Sequence, residues 1–436
     1  MDKARKDGFE LLLLGCAAFL VIGIAWSVLT SHPTVDFRPG YWSARTFLEG
    51  ADPYNPAVVE RTYHADGGDR TARDSTHDLV PIVHGHYPPS ELTFAVLFAT
   101  LPFNAAQILW TACIAVMVLV AVLLMWTEGA RHAPFAAGVL LSIFLVNSPS
   151  LMVFGNPGAI AVSLCAIGAW CMLRGRFVAL GVVCLAASLT IKTHDVGLVW
   201  LYFVLAGGKL RKQALMALAV AVAISIPAFV WINHVSPHWF SEFMADIQAS
   251  RMRGGLNDPG PGTSGARGIE MIVALPVIFS LFRDEAGFYN LASILTCAPL
   301  LVAWGVAAVR SKGEETKAWL SIAAISALSM LPIYHRQYDA KLIMLAVPAL
   351  CILLAEGGRM ARYAMWITAT AVVLNGDFTW LLLLALLAKI PSTAIQTDVA
   401  VSVVPLSLLA LGSFYVWAGM RRVREPARQE SAVPAG

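Results

Sequence analysis

LLLLGCAAFLVIGIAWSVL, residues 11–29, decides the fold. The run is uncharged and mostly aliphatic. As a helix it is long enough to cross about 30 Å of hydrocarbon. Lys3, Arg5 and Lys6 precede it. That order is shared with signal peptides, but no small-residue cleavage site follows. The run therefore reads as an uncleaved first helix with its N-terminus in the cytoplasm.

Runs of this kind recur to the end of the chain. Hydrophobic residues make up 58% of it and charged residues 14%, against roughly 25% charged in soluble domains. The pattern predicts an all-α, polytopic integral membrane protein of 11–13 transmembrane helices, forming one domain over residues 1–436. Segments 361–375 and 377–390, parted by Gly376, read as one broken helix. The apolar stretch 268–282 reads as an interfacial helix. The net charge of +3 is small and dispersed, so nucleic acid is excluded as a partner and membrane lipids are the expected surroundings. All seven cysteines lie in apolar runs, which leaves no disulfide framework and no CxxC metal site.

Basic residues set the topology. Clusters at 3–6, 131, 174–176, 209–212, 310–317, 359–362 and 421–428 hold 18 of the 31 lysines and arginines. They alternate with acidic, His- or Pro-bearing stretches at 31–90, 147–157, 234–267 and 334–341. The basic set is cytoplasmic, with both termini and the tail 420–436. The other set lies on the extracytoplasmic (periplasmic) face of the inner, or plasma, membrane. Loop 31–90 is large enough to fold. Residues 41–50 read as a short helix with Trp42, Phe47 and Leu48 toward the membrane. Loop 234–267 carries Arg251 and Arg253 beside the Gly/Pro-rich stretch Gly254 to Gly265, which reads as a mobile lid of about 12 residues.

The polar residues on that outer face carry the chemistry. Asp36 follows the first helix, with aromatic residues after it. A carboxylate held there suits a general base acting on the hydroxyl of a lipid-borne acceptor; a helix cap and a solvated loop acid are the alternatives. Asp52, in Gly50-Ala51-Asp52-Pro53-Tyr54, is a turn residue. Lys192 stands at the outer end of a helix, where it either snorkels to headgroups or meets an anionic ligand such as a phosphate. His194 and Asp195 beside it pair with each other in a further reading. His335 and Arg336 offer two more donors to a phosphate, while Arg336 and Lys341 also suit lipid headgroups. His77, His84, His86 and Asp78 fit no zinc spacing. No metal and no cofactor is expected.

In order along the chain, these stretches resemble glycosyltransferase family 87, polytopic GT-C-class enzymes whose donors are polyprenyl-phosphate sugars. The resemblance rests on Asp36 through Tyr54, Tyr87-Pro88-Pro89 before Leu101-Pro102, and Phe154-Gly155-Asn156-Pro157. It continues through Ser188 to Lys192 with Lys209-Leu210-Arg211-Lys212, and Leu331-Pro332 to Asp339. Asn156-Pro157 stands where Gln-x-Asn is usual, and segment 60–86 is longer and richer in Asp and His than the family pattern. The resemblance implies that Asp36 is the general base and that the sugar leaves a polyprenyl phosphate with inversion. Lys192, His335 and Arg336 are then the groups that hold the donor phosphate. Tyr41, Trp42, His86, Tyr87, Asn156, His194, Arg251 and Tyr338 are further candidates for substrate contact.

The expected activity is transfer of one sugar, mannose first and arabinofuranose next, to a lipid-linked or cell-envelope glycan. A lipid-linked glycan flippase is the main alternative and would place charges at helix midpoints. A glycan polymerase or ligase ranks third.

Overall fold

The computed structural model describes residues 3–30, 33–68, 87–263, 271–387, 389 and 402–430. The His-rich segment 69–86, and with it His86, lies outside the described residues. Among the described residues the regular elements are helices, and one isolated β-bridge joins Ile272 to Arg336. Eight helices are long and apolar enough to cross a membrane. They are Lys3–Leu29, Phe103–Gly129, Pro134–Phe154, Pro157–Arg174, Val178–Ala206, Gly208–Val235, Ala286–Ser311 and Val403–Val423. Gly358–Leu374 and Asp377–Leu386 form a further pair bent by 67°, the broken helix expected at Gly376. Two shorter helices, Glu315–Leu328 and Ala346–Glu356, are buried among the others. Among the described residues the candidate spans therefore number eight, or nine with the bent pair, against the 11–13 expected. The protein is an all-α polytopic membrane protein.

Val178–Ala206 is interrupted only at Lys192, whose φ of −150° and ψ of 77° are not helical. One expectation is corrected. The stretch around 271–282 is not an interfacial helix. Met271 to Leu275 are buried and run along the loop from Leu331 to Gln337. Val273 N–H donates to the His335 carbonyl (2.9 Å), Gln337 N–H to that of Met271 (3.1 Å) and Leu275 N–H to that of Leu331 (3.0 Å). Only Pro276–Ser280 is helical. A buried backbone must find partners for its polar groups, and this segment finds them in the loop that carries His335 and Arg336.

Close packing of the first helix uses small residues. Gly8 and Gly15 of Lys3–Leu29 lie against Pro134–Val146, where Gly138 and Ser142 face them. A Cβ on Gly138 would run into the Gly8 carbonyl, and one on Gly15 would lie 2.7 Å from Ser142 Cα. Without a side chain at these positions the two backbones touch, as small-residue interfaces in membranes allow.

At one end of the bundle, basic residues from different clusters meet acidic ones. Arg174 pairs with Glu128 and with Glu315 (3.2 Å), and Arg131 with Glu315 (2.7 Å). Arg422 pairs with Glu356. The stretches expected outside gather at the opposite end.

Gly138→Leu is expected to separate these two helices and to destabilise the protein by about 1–3 kcal/mol or more, the range of an over-packed core. Thermal melting in detergent checks it; a melting temperature unchanged from wild type would refute the close contact.

Candidate active site

Asp36 is placed by what surrounds it. Thr34 N–H donates to the Val153 carbonyl (2.6 Å) and Asp36 N–H to that of Phe154 (3.0 Å). Gly155 follows at φ +66°, and a Cβ there would come within 2.8 Å of Thr34 Cβ. A residue without a side chain is therefore required for the two segments to meet. Phe37, next in sequence, stacks on Trp110 with ring centroids 4.6 Å apart, and Trp110 Nε1 donates to the Gly155 carbonyl (2.7 Å).

Asp36 occupies the N-cap of helix Phe37–Leu48 but makes no side-chain capping bond. Its Oδ2 accepts instead from Asn156 Nδ2 at 2.7 Å. Asn156 is itself the N-cap of Pro157–Arg174, where its Oδ1 accepts from Gly158 N–H (2.8 Å). The same Oδ1 lies 3.4 Å from Lys192 Nζ. One amide thus joins the carboxylate to the lysine.

Lys192 sits at the break in Val178–Ala206 with its side chain 12% exposed. Its ammonium donates to Asp339 Oδ1, lies 3.4 Å from Asp195 Oδ2, and stands 5.0 Å from the Tyr338 ring centroid. A cation in a poorly hydrated place needs such partners. Asp339 Oδ2 accepts from the Arg336 N–H (2.9 Å), so loop 334–339 folds over the lysine. Arg336, also buried, donates to Tyr334 Oη, to the Leu256 carbonyl (2.9 Å) and to Asn257 Oδ1 (3.0 Å). All four stretches expected outside, which contain Asp36, Asn156, Asn257 and Asp339, therefore converge on one place.

Several candidates are placed elsewhere. Tyr41 is buried, and its hydroxyl donates to the Leu101 carbonyl (2.7 Å). Trp42 does not face the membrane: it is buried, stacked on Phe103 and edge-on to Tyr41 and Tyr63. Both rings hold helix Phe37–Leu48 against Phe103–Gly129, and so they support the site instead of lining it. Tyr87 is a support as well. Its hydroxyl donates to the Asp36 carbonyl (2.7 Å), and its own carbonyl accepts from Tyr54 Oη (2.8 Å). Asp52 Oδ1 accepts from Tyr54 N–H (2.9 Å), which closes the expected turn. Within loop 234–267, Trp239–Arg251 is a helix. Asp258 then accepts from Gly254 and Gly260 N–H, both at 2.8 Å. Arg251 lines an open cavity of about 440 Å³ with Arg253, Asp258, Asp284 and Tyr289. Lys341 does not reach lipid headgroups. It is buried, donating to the Asn147 and Asn375 carbonyls (2.8 and 2.9 Å) and to Asp377 (3.0 Å).

Glu91 was not singled out by the sequence reading. It lies on helix Pro89–Ala99, is 6% exposed, and lines with Asp36, Phe37, Phe94 and Trp110 a cavity of about 10 Å³, room for roughly one water. Its signal in the sequence is an acid inside an apolar stretch, two residues after Pro88-Pro89. Burial pushes its carboxyl well above the ordinary carboxylate range. Burial also raises Asp36, while the Asn156 hydrogen bond and the charges of Arg336 and Lys192 pull it part of the way back. Burial pushes the His335 imidazole below its ordinary value.

The sequence profile of glycosyltransferase family 87 matches residues 86–333. No curated protein matches the chain. Among solved structures, it is similar to ArnT from Cupriavidus metallidurans in the apo state, at 16% identity, and to ArnT from the same organism bound to undecaprenyl phosphate, at 15%. Each alignment covers 94% of this chain and 77% of that one, with a TM-score of 0.38.

The Asp36 carboxyl is expected to keep its proton above the ordinary aspartate value of about 3.9. Infrared difference spectra of wild type against Asp36→Asn over a pH titration check it. A protonated-carboxyl band that vanishes at or below that ordinary value would contradict the burial argument.

Proposed function

The chain belongs to glycosyltransferase family 87, and we propose that it transfers a single sugar with inversion from a polyprenyl-phosphate donor, with Asp36 as general base. That it is a membrane glycosyltransferase using a polyprenyl-phosphate-linked sugar follows from the family. Mannose is the sugar proposed first and arabinofuranose the next; the acceptor is a lipid-linked or cell-envelope glycan. The reaction lies on the extracytoplasmic face of the inner membrane, with both termini in the cytoplasm.

One observation carries this reading: the Asn156 amide holds the Asp36 carboxylate on one side and the Lys192 ammonium on the other. A displacement at an anomeric carbon needs a base at the incoming oxygen and positive charge at the outgoing one. Asp36 takes the proton of the acceptor hydroxyl as that oxygen attacks the anomeric carbon. The bond from that carbon to the phosphate oxygen breaks, and its electron pair stays on the phosphate. Charge grows there as the bond opens. Lys192, Arg336 and His335 stabilise it, and groups fixed in place before the reaction do so without reorganising. For the phosphate to engage Lys192, the ammonium turns from Asp339, which keeps a partner in the Arg336 N–H. As a base Asp36 must be ionised, so activity falls as the pH drops through its raised pKa.

Asp36→Asn is expected to lower transfer by about 10²–10⁴-fold, the range typical of a general base, with donor binding retained. Purified protein incubated with labelled polyprenyl-phosphate mannose or arabinofuranose and membrane lipid extract measures it. Full activity in that variant would remove Asp36 from the role. Lys192→Ala is expected to weaken donor binding by about tenfold or more, as loss of a charged hydrogen bond does. Equal affinity in a folded variant would return Lys192 to a structural part.

A further inference from the structure

A group of side chains beside Lys192 is not used by this mechanism. Asp195 is fully buried, yet among the described residues neither of its carboxylate oxygens accepts a hydrogen bond. Buried carboxylates ordinarily collect donors. Here Oδ2 faces the Lys192 ammonium at 3.4 Å. Oδ1 faces two imidazole nitrogens, His194 Nε2 at 3.2 Å and His335 Nε2 at 3.5 Å. The three atoms all lie within 4.8 Å of one another.

These separations have a chemical meaning. Zinc in tetrahedral sites binds nitrogen and oxygen at about 2.0–2.1 Å, which sets neighbouring ligand atoms roughly 3.3–3.4 Å apart. The two distances to Asp195 Oδ1 fall on either side of that edge. The His335 ring is oriented as a ligand's ring would be. Its Nδ1 lies 3.1 Å from the Ile333 carbonyl. A backbone carbonyl so placed is what fixes the tautomer of a metal-bound histidine. The His335 Nε2 lies 3.5 Å from Asp195 Oδ1 and 3.4 Å from the His194 carbonyl. His194 is 44% exposed, which opens a way in from the aqueous side.

We propose that His194 Nε2, Asp195 Oδ1 and His335 Nε2 bind a divalent zinc ion, with a coordination position left open for an oxygen of the donor phosphate. Two imidazoles with one carboxylate suit zinc over magnesium or calcium, which prefer oxygen throughout. The zinc site rests on the side chains alone; its coupling to the phosphate rests on the reading of the function above. His335 then acts on the phosphate through the ion.

The test uses the full-length protein, freed of its affinity tag and stripped with chelator. Zinc chloride is titrated against it, with magnesium chloride as the control, and bound metal is counted by mass spectrometry. One zinc per chain is expected, with affinity lowered about 10–100-fold or more in His194→Ala, His335→Ala and Asp195→Asn. His132→Ala, beside the separate Glu128 and Glu315 pair, should bind as wild type does. His194→Ala alters a half-exposed side chain, so it reports on the site even where the buried variants fail to fold. Wild type that binds no stoichiometric zinc, or binding unchanged in His194→Ala, overturns the proposal. Zinc bound with these variant effects by a protein that transfers no sugar from any polyprenyl phosphate supports the metal site and sinks the functional reading instead.

Discussion

Lys192 interrupts a helix that is otherwise continuous from Val178 to Ala206, and its ammonium stands against Asp339, Asp195 and Asn156. A charge at this depth is tolerated only when paired, because the loss of hydration costs several kcal/mol per ion. Each partner comes from a different part of the chain. Asp195 is on the same helix past the break, Asn156 begins the preceding helix, and Asp339 lies in the loop before a buried helix. The demand of one lysine for company therefore ties three segments together, and Asn156 extends the tie to Asp36. The backbone at Lys192 leaves the helical conformation. Such breaks are admitted in membrane proteins only where the freed groups are buried in protein or face a cavity.

The rest of this end of the bundle is scaffold for the cluster. Phe37 on Trp110, Trp42 on Phe103, and the Tyr41 hydroxyl on Leu101 hold helix Phe37–Leu48 flat against its neighbour. The Tyr54–Tyr87–Asp36 relay of hydroxyls onto carbonyls fixes the backbone from which the Asp36 side chain projects. The extended segment after Met271 supplies the backbone partners of loop 334–338. Aromatic rings serve here because each brings a large apolar area together with one polar tip. Their clustering around an acid is a sign of positioning as readily as of sugar recognition, and contact geometry separates the two.

Lys341 makes the complementary point. From the sequence, it and Lys192 are alike: single lysines next to apolar runs. Lys341 proves to be saturated by two carbonyls and Asp377 and joins the bent pair Gly358–Leu374 and Asp377–Leu387 to residue 147. Lys192 is held by carboxylates and an amide oxygen in a place open to the site. The residue type is the same, and only the identity of the acceptors distinguishes an internal brace from a group with chemistry to perform.

Much of the fold was legible in order of residues because its causes are local. Apolar length sets which segments cross the membrane, the alternation of basic and acidic stretches sorts the loops into two sets, and a carboxylate beside a helix end is visible wherever it stands. Asp36, Lys192 and the loop from Tyr334 to Asp339 were found in that way. The interfacial helix at 268–282 was misread because hydropathy cannot distinguish a segment lying on lipid from one buried under a loop. The roles of Tyr41, Trp42 and Asn156, the buried acid Glu91, and the meeting of His194, Asp195 and His335 were decided by the tertiary structure alone. His335 stands 141 residues from His194 in the chain, so no spacing rule joins it to the adjacent His194 and Asp195. Which side chains face each other across packed helices depends on the break at Lys192 and on the small residues that let backbones close up. Those are properties of the assembled bundle, whereas hydropathy and charge belong to each segment by itself.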